Sequence, residues 1–140
     1  MKYNLLYVCF ALLSLVLVSC EDGEDFPLTK LEGTYAGTFQ RTVGNEPGGI
    51  AQVSITFDGN SWSGQSDTPR YPAICNGSYQ IYGNIIKFEN HCMFTADFDW
   101  SLILNGDFEI RQTMDAITFT KSLPNAIVPT IDRYTLKSVN

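Results

Sequence analysis

The chain has 140 residues, of which 44% are hydrophobic and 17% charged. This length and balance predict one domain with a buried core and exclude a multidomain organisation. The 9 basic residues against 15 acidic ones give a net charge of −6, so nucleic acid and anionic membrane surfaces are unfavourable partners.

The N-terminal segment predicts export and lipid attachment. A nearly unbroken apolar run from Leu5 to Val18 has the length of a signal-peptide core and is too short to span a bilayer comfortably. The residues Leu17-Val18-Ser19-Cys20 resemble the lipobox of bacterial lipoproteins. That resemblance implies a signal peptide at 1–19, cleaved before Cys20, and lipid such as palmitate on the Cys20 thiol. An ordinary secretory signal and an uncleaved anchor are the alternatives.

An acidic segment follows the cysteine directly. Residues 21–25 contain four carboxylates and cannot be buried cheaply, so we expect a solvated tether at 20–30 and one folded domain at 31–140. The segment also resembles the acidic export signal of surface lipoproteins of the Bacteroidetes, although a plain linker would have the same composition. The resemblance implies a cell-envelope location, in the outer membrane, on its periplasmic or surface face.

The rest of the chain alternates apolar and polar residues with period two, which is typical of antiparallel strands. We predict eight or nine strands separated by turn signals. The alternating apolar positions are Tyr35, Gly37 and Phe39; Val53, Ile55 and Phe57; a long run at Phe94, Ala96, Phe98, Trp100, Leu102 and Leu104; Phe108 and Ile110; Ile117 and Phe119; and Tyr134 and Leu136.

One hairpin can be derived in register. A two-residue turn at Gly83-Asn84 suits glycine at a positive φ and pairs Tyr79 with Phe88. Ile81 then faces Ile86, so one face is apolar and the other polar, which supports the register. The same register sets Cys75 opposite Cys92.

The cysteines are consistent with this arrangement. Cys9 leaves with the signal peptide and Cys20 takes lipid, so Cys75 and Cys92 remain in a compartment where disulfides persist. A bond between them would stabilise the fold by roughly 3 kcal/mol in the chain-entropy model. A free redox pair is disfavoured because a C-x-x-C spacing is lacking.

Two further hairpins are indicated less sharply. Around residues 58–60, the turn can pair Phe57 with Trp62 or Ile55 with Trp62, and both keep the faces consistent. Around residues 105–107, a three-residue loop would pair Leu104 with Phe108 and extend the run at 94–104 as a strand.

Successive hairpins with one apolar face favour an antiparallel up-and-down barrel, because closure removes the exposed edges. The opening Leu31-Glu32-Gly33-Thr34-Tyr35 resembles the Gly-x-Trp start of lipocalins, with Tyr35 in place of the tryptophan. The strand order, ending in Arg133-Tyr134-Thr135-Leu136-Lys137, is similar to small lipocalin-like lipoproteins of Bacteroidetes. The resemblance implies an eight-stranded, calycin-type barrel, often with a ligand cavity.

No catalytic or metal-binding constellation is predicted. His91 is the lone histidine and is expected on the outer face, without a partner for catalysis or metal binding. Asp97 and Asp99 are interpreted as solvated charges on the outer face of a strand rather than as a catalytic pair. We therefore expect a protein that is not an enzyme and has neither a cofactor nor a metal.

Binding is the expected function. The candidate residues of the barrel interior are aromatic, and they can either fill a simple core or line an apolar pocket. The first hypothesis is a small apolar or amphipathic ligand held in the barrel. The second is a protein or glycan bound through loops such as Asn45 to Gly49 and Arg70 to Ala73, where Arg70 and Tyr71 are expected to be exposed together. The candidate interior residues are Tyr35, Phe39, Phe57, Trp62, Tyr79, Phe88, Phe98, Trp100 and Phe108, with Phe119 on the same face.

Overall fold

A computed structural model describes residues 28–124 and 126–139. They form a closed, antiparallel up-and-down barrel in which each strand pairs with the next and the last pairs with the first, confirming the predicted fold class. This architecture is compatible with a lipocalin-like fold. The strands are β1 (Gly33–Val43), β2 (Glu46–Asp58), β3 (Ser61–Ser66), β4 (Asn76–Tyr82), β5 (Ile85–Asn90), β6 (Gly106–Gln112), β7 (Ile117–Ser122) and β8 (Thr130–Ser138).

The predicted alternation sets the inner face of most strands. Phe39 on β1 pairs with Tyr134 on β8, and Phe119 on β7 pairs with the same tyrosine, so the apolar positions meet across the closing strands. All three side chains are at most 2% exposed. Burial on one face and solvent on the other is the reason that these segments form strands.

The hairpin at Gly83-Asn84 is confirmed in detail. Tyr79 pairs with Phe88 and Ile81 with Ile86, and Gly83 takes a positive φ of 61°. At the earlier hairpin the structure selects one of the two open registers, which pairs Phe57 with Trp62. Both of those side chains are then buried in the barrel.

The predicted strand over 94–104, and its three-residue hairpin to Phe108, are wrong. β5 pairs directly with β6, through Ile86 and Phe108, so no free edge is left for another strand. Residues 91–105 instead form a long connection, here called the mouth loop, with a 3-10 turn at Trp100–Leu102. An isolated bridge between Ala73 and Ile103 holds its second half.

The two ends of the barrel differ. One end, the base, carries the short turns between β2 and β3, β4 and β5, and β6 and β7. The other end, the mouth, carries the β1–β2 turn and the longer connections 67–75, 91–105 and 123–129. Since β1 runs from the base to the mouth, the chain enters the barrel at the base.

The segment before β1 packs onto the base. Leu31 is 1% exposed, and its backbone amide donates to the Tyr79 hydroxyl (3.0 Å), which in turn donates to the Leu31 carbonyl (2.8 Å). Leu28 also contacts the core, so ordered packing reaches into the segment predicted as a tether. Within the described part of the chain, no helix is long and apolar enough to cross a membrane. The predicted signal peptide, Cys20 and the acidic residues lie outside the described residues.

Candidate functional site

The interior of the barrel is occupied by aromatic rings that touch one another. Phe57 lies with its ring centroid 4.9 Å from Tyr79 and 6.4 Å from Phe119. Phe88 lies 5.5 Å from Trp62. The predicted interior residues that are buried in this core are Phe39, Phe57, Trp62, Tyr79, Phe88, Phe108 and Phe119. Edge-to-face contacts of this kind are typical of a packed core, and the role of these rings as ligand contacts stays a prediction.

Of the other three predicted interior residues, one is only partly buried and two lie outside the sheet. Tyr35 is half-buried and makes a T-shaped contact with Phe57, with centroids 5.7 Å apart. Phe98 and Trp100 belong to the mouth loop and not to the inner face of a strand, and Trp100 is 57% exposed. The apolar side chains at 94–104 alternate because they cover the mouth of the barrel and pack within the mouth loop, and not because they line a strand.

A buried ion pair closes the mouth above the core. Arg41 on β1 is opposite Asp132 on β8, and both occupy inward-facing positions. The Arg41 Nε donates to Asp132 Oδ1 (2.6 Å) and Nη2 donates to Oδ2 (2.7 Å), a bidentate contact in which the side chains are 10% and 4% exposed. Bidentate pairing compensates for part of the cost of removing two charges from water.

The same arginine fixes the mouth loop. Its Nη1 donates to Asp99 Oδ2 (2.8 Å) and to Ser101 Oγ (3.0 Å), and Nη2 donates to the Ser101 carbonyl (3.1 Å). Burial alone would lower the pKa of Arg41, but hydrogen bonding to Asp132 and the nearby carboxylates outweigh it and raise the pKa. Hydrogen bonds from Ser101 lower the pKa of Asp99. The loop is thus clamped across the mouth.

A second clamp joins the mouth loop to the connection 67–75. Arg70 has a positive φ of 61°, places its guanidinium 5.1 Å from the Phe98 ring centroid and donates to Asp97 Oδ2 (2.7 Å). Hydrogen bonds from Thr95 and then Arg70 lower the pKa of Asp97 to about 2. Asp97 and Asp99 are solvent-exposed, as predicted (64% and 56%), but they lie in a loop and accept hydrogen bonds from arginines, so their predicted place on a strand is wrong.

The prediction that Arg70 and Tyr71 are exposed together is wrong for Tyr71. Its ring packs on Phe39, with centroids 5.1 Å apart, and its hydroxyl donates to the Gly49 carbonyl (3.0 Å). The predicted loop Asn45 to Gly49 is mostly strand, since β2 starts at Glu46. These segments therefore help to close the mouth rather than extend into solvent.

The predicted disulfide between Cys75 and Cys92 is confirmed, with Cα atoms 6.3 Å apart. Cys75 precedes β4 and Cys92 follows β5, so the bond ties the two connections at the mouth. Next to it, His91 is exposed and its amide donates to the Asn76 carbonyl (2.9 Å). Among the described residues, no group of three or more His, Cys, Asp or Glu could hold a metal ion.

Beside the clamped loop lies an open pocket with a volume of about 490 Å³, which we call the mouth pocket. Asn90, at the end of β5, and Lys121, near the end of β7, supply polar groups from inward-facing strand positions. The backbone amide of Asn90 donates to Asn105 Oδ1 (3.0 Å). The side-chain Oδ1 of Asn90 is the one buried side-chain polar atom without a partner in the described part of the chain. The lining residues are Asn90, Cys92, Met93, Phe94, Trp100, Ser101, Ile103, Asn105 and Lys121.

The Trp100 side chain is held in a fixed orientation at this pocket. Its indole Nε1 donates to the Thr95 carbonyl (3.0 Å), and the backbone carbonyl of Trp100 accepts from the Ile103 backbone amide (3.1 Å). The ring therefore offers an apolar surface without the conformational entropy cost of ordering it. Volumes of roughly 300–1,000 Å³ with apolar walls and a few polar groups are typical of small-molecule sites.

Sequence reasoning missed the polar residues of the mouth. Arg41 continues the inward series of Tyr35, Gly37 and Phe39, and Lys121 continues that of Ile117 and Phe119. A charge at an inward position of an alternating strand was the available signal, because such a charge needs a partner or an opening.

Comparisons with protein-family models, curated proteins and solved structures found no match for this chain.

Proposed function

We propose that this protein is a lipid-anchored, non-enzymatic binding protein of the outer membrane, which holds a small apolar or amphipathic ligand at the mouth of its barrel. The mouth pocket is the observation that carries the proposal. It combines an exposed, immobilised Trp100 with polar groups from Asn90, Asn105 and Lys121 in a volume suited to a small molecule.

The packed interior supports a site at the mouth rather than between the strands. Phe57, Phe88 and Tyr134 each contact several other rings, so a ligand inside would have to displace aromatic contacts. Displacement of that kind disrupts a close-packed core and is costly. The mouth pocket requires no such change.

The direction of the chain is favourable for an anchored binder. The described chain starts at the base, where Leu28 and Leu31 pack, and the mouth pocket lies at the opposite end. With lipid on Cys20, a tether leaving the base would turn the mouth away from the membrane. The ligand could then reach the pocket from the aqueous side.

Native mass spectrometry of the protein purified from its own membrane tests the binding proposal. We expect a stoichiometric small-molecule adduct that is lost in a Trp100→Ala variant and retained in Tyr82→Ala, a matched exposed aromatic at the base (49% exposed against 57%). A clean mass for the ligand-free protein, with a protein partner co-purifying, would overturn it.

The anchor is tested separately by Cys20→Ala. We expect this variant to leave the membrane fraction, because lipid chains contribute about 0.8 kcal/mol per buried methylene. Cys9→Ala is the control, since Cys9 lies inside the predicted signal peptide. A Cys20→Ala protein that stays in the membrane fraction would contradict lipidation.

A second candidate is a surface accessory module that binds a protein or glycan through the mouth. Exposed apolar side chains favour it: Val43 (46% exposed), Ile127 (103%) and Val128 (45%) lie at the mouth end of the barrel. Groups of exposed apolar residues often mark interaction sites. This candidate predicts the co-purifying partner and the absence of a small-molecule adduct.

A further inference from the structure

Lys121, a half-buried cation of the mouth, differs from the buried Arg41. Arg41 has Asp132 and Asp99 as direct partners, whereas no carboxylate of the described residues lies within ion-pair distance of Lys121 Nζ. Its ammonium donates to the Asn105 carbonyl (2.7 Å) and lies 5.2 Å from the Phe108 ring centroid. An ammonium has three donors, so hydrogen-bonding capacity is left over.

The position of Lys121 is electrostatically unfavourable without an anion. It is the inward-facing residue after Phe119 on β7 and is half-buried. Burial lowers the pKa of Lys121, and the more distant carboxylates of Asp132 and Asp107 only partly oppose this. A partly desolvated cation gains from an added negative charge, because that charge restores the interactions lost from water.

Apolar side chains stand on the other side of the same pocket. Met93 is 95% exposed, Trp100 is 57% exposed, and Phe94 and Ile103 are half-buried. A ligand lying on these side chains would remove them from water, at roughly 25 cal/mol per Å² of apolar surface. The pocket thus offers one cationic end and one apolar wall.

We infer that the ligand of the mouth pocket is an anionic amphiphile whose carboxylate pairs with Lys121 and whose apolar part lies on Trp100 and Phe94. This inference rests on the proposed function and adds the chemical class of the ligand. Asn105 supports the assignment of an anionic ligand. Its side-chain Oδ1 already accepts from the backbone amide of Asn90, which leaves its side-chain NH₂ to donate to a carboxylate.

The test compares hexanoate, 1-hexanol and hexylammonium, which share a chain and differ in charge. The protein purified from its own membrane is reconstituted in phosphatidylcholine nanodiscs, with empty nanodiscs as the blank, and binding is followed by tryptophan fluorescence and titration calorimetry. Trp100→Phe identifies the signal of Trp100, since Trp62 is 2% exposed. We expect hexanoate to bind about tenfold more tightly than hexanol, and hexylammonium to bind most weakly.

Variants of Lys121 separate charge from packing. Lys121→Gln is expected to remove the tenfold preference for hexanoate while leaving hexanol binding within about twofold, and Lys121→Arg to keep the preference. Lys87→Gln is the control, because Lys87 is an exposed lysine on the outer face of β5. Equal binding of hexanoate and hexanol by the unchanged protein would overturn the anionic class but leave the proposed function intact. Failure of all three probes to bind would count against the proposed function itself.

Discussion

Replacing Arg41 with methionine is predicted to be among the most destabilising changes at the mouth. The guanidinium uses all five of its N–H donors on Asp132, Asp99 and Ser101. Methionine has similar length and no charge, so it removes these bonds without leaving a large cavity. The Asp132 carboxylate, 4% exposed, would then be buried without its arginine.

The expected loss in free energy of unfolding follows from the unpaired Asp132 carboxylate. Removing one partner of a buried ion pair costs about 3–5 kcal/mol, a large fraction of the roughly 5–15 kcal/mol that stabilises a domain. Asp132→Leu should cost less, because Arg41 keeps Asp99 and Ser101 as acceptors. The double variant Arg41→Met with Asp132→Leu should cost less than the sum of the single variants, because it leaves no unpaired charge between these two positions.

Urea denaturation followed by circular dichroism measures these differences. With a typical slope of about 1–3 kcal/mol per molar urea, Arg41→Met should lower the midpoint by about 2 M. Arg111→Met is the matched control, since Arg111 pairs with Glu109 at 2.7 Å but is 77% exposed. Exposed pairs are worth about 1 kcal/mol or less. If Arg41→Met costs no more than Arg111→Met, the clamp does not stabilise the fold and our reasoning on the mouth is refuted.

Three further predictions concern packing, covalent bonding and pH. Gly77→Ala should unfold the barrel or cost several kcal/mol, about as much as overpacking a core, because an added Cβ would clash with the Glu89 carbonyl oxygen. Gly49→Ala, with nothing within 4 Å of the added Cβ, should be nearly neutral in the same urea titration. Cys75→Ala with Cys92→Ala should lose roughly 3 kcal/mol by calorimetry, and an unchanged melting temperature would contradict a stabilising role. Because the pKa of Asp97 is lowered to about 2, its hydrogen bonds stabilise the loop above the unfolded value of about 3.9, and this contribution is lost as the pH falls through about 2. Trp100 emission should shift to the red in that window, more than in an Asp97→Asn variant.

Much of the barrel could be predicted because its signals are local. The alternation around Phe39, Phe57 and Phe119 assigns an inner face without knowledge of the neighbouring strand, since side chains of a strand alternate strictly. The two-residue turn at Gly83-Asn84 fixes the β4–β5 register, and that register brings Cys75 near Cys92. In these cases the distance along the chain is short and the geometry leaves few alternatives.

The mouth loop could not be predicted in this way. Phe94, Phe98 and Leu104 alternate as strand residues do, but β5 and β6 pair with each other and leave no edge for them. Leu104 is buried against the mouth, where its amide donates to the Ala73 carbonyl (3.0 Å). Periodicity shows which side chains avoid water, and it cannot show whether a sheet or a covering loop excludes the water.

By itself, the sequence determined the all-β class, the faces of most strands, one exact hairpin and the disulfide, since each depends on neighbours in the chain or on a turn. Only the tertiary structure decided that the mouth loop closes the barrel and that, among the described residues, Arg41 has two carboxylates within ion-pair distance while Lys121 has none. Arg41 and Asp132 are 91 positions apart, and they meet only because β8 closes on β1. The mouth pocket lies where the mouth loop meets the ends of β5 and β7, the two strands that flank β6.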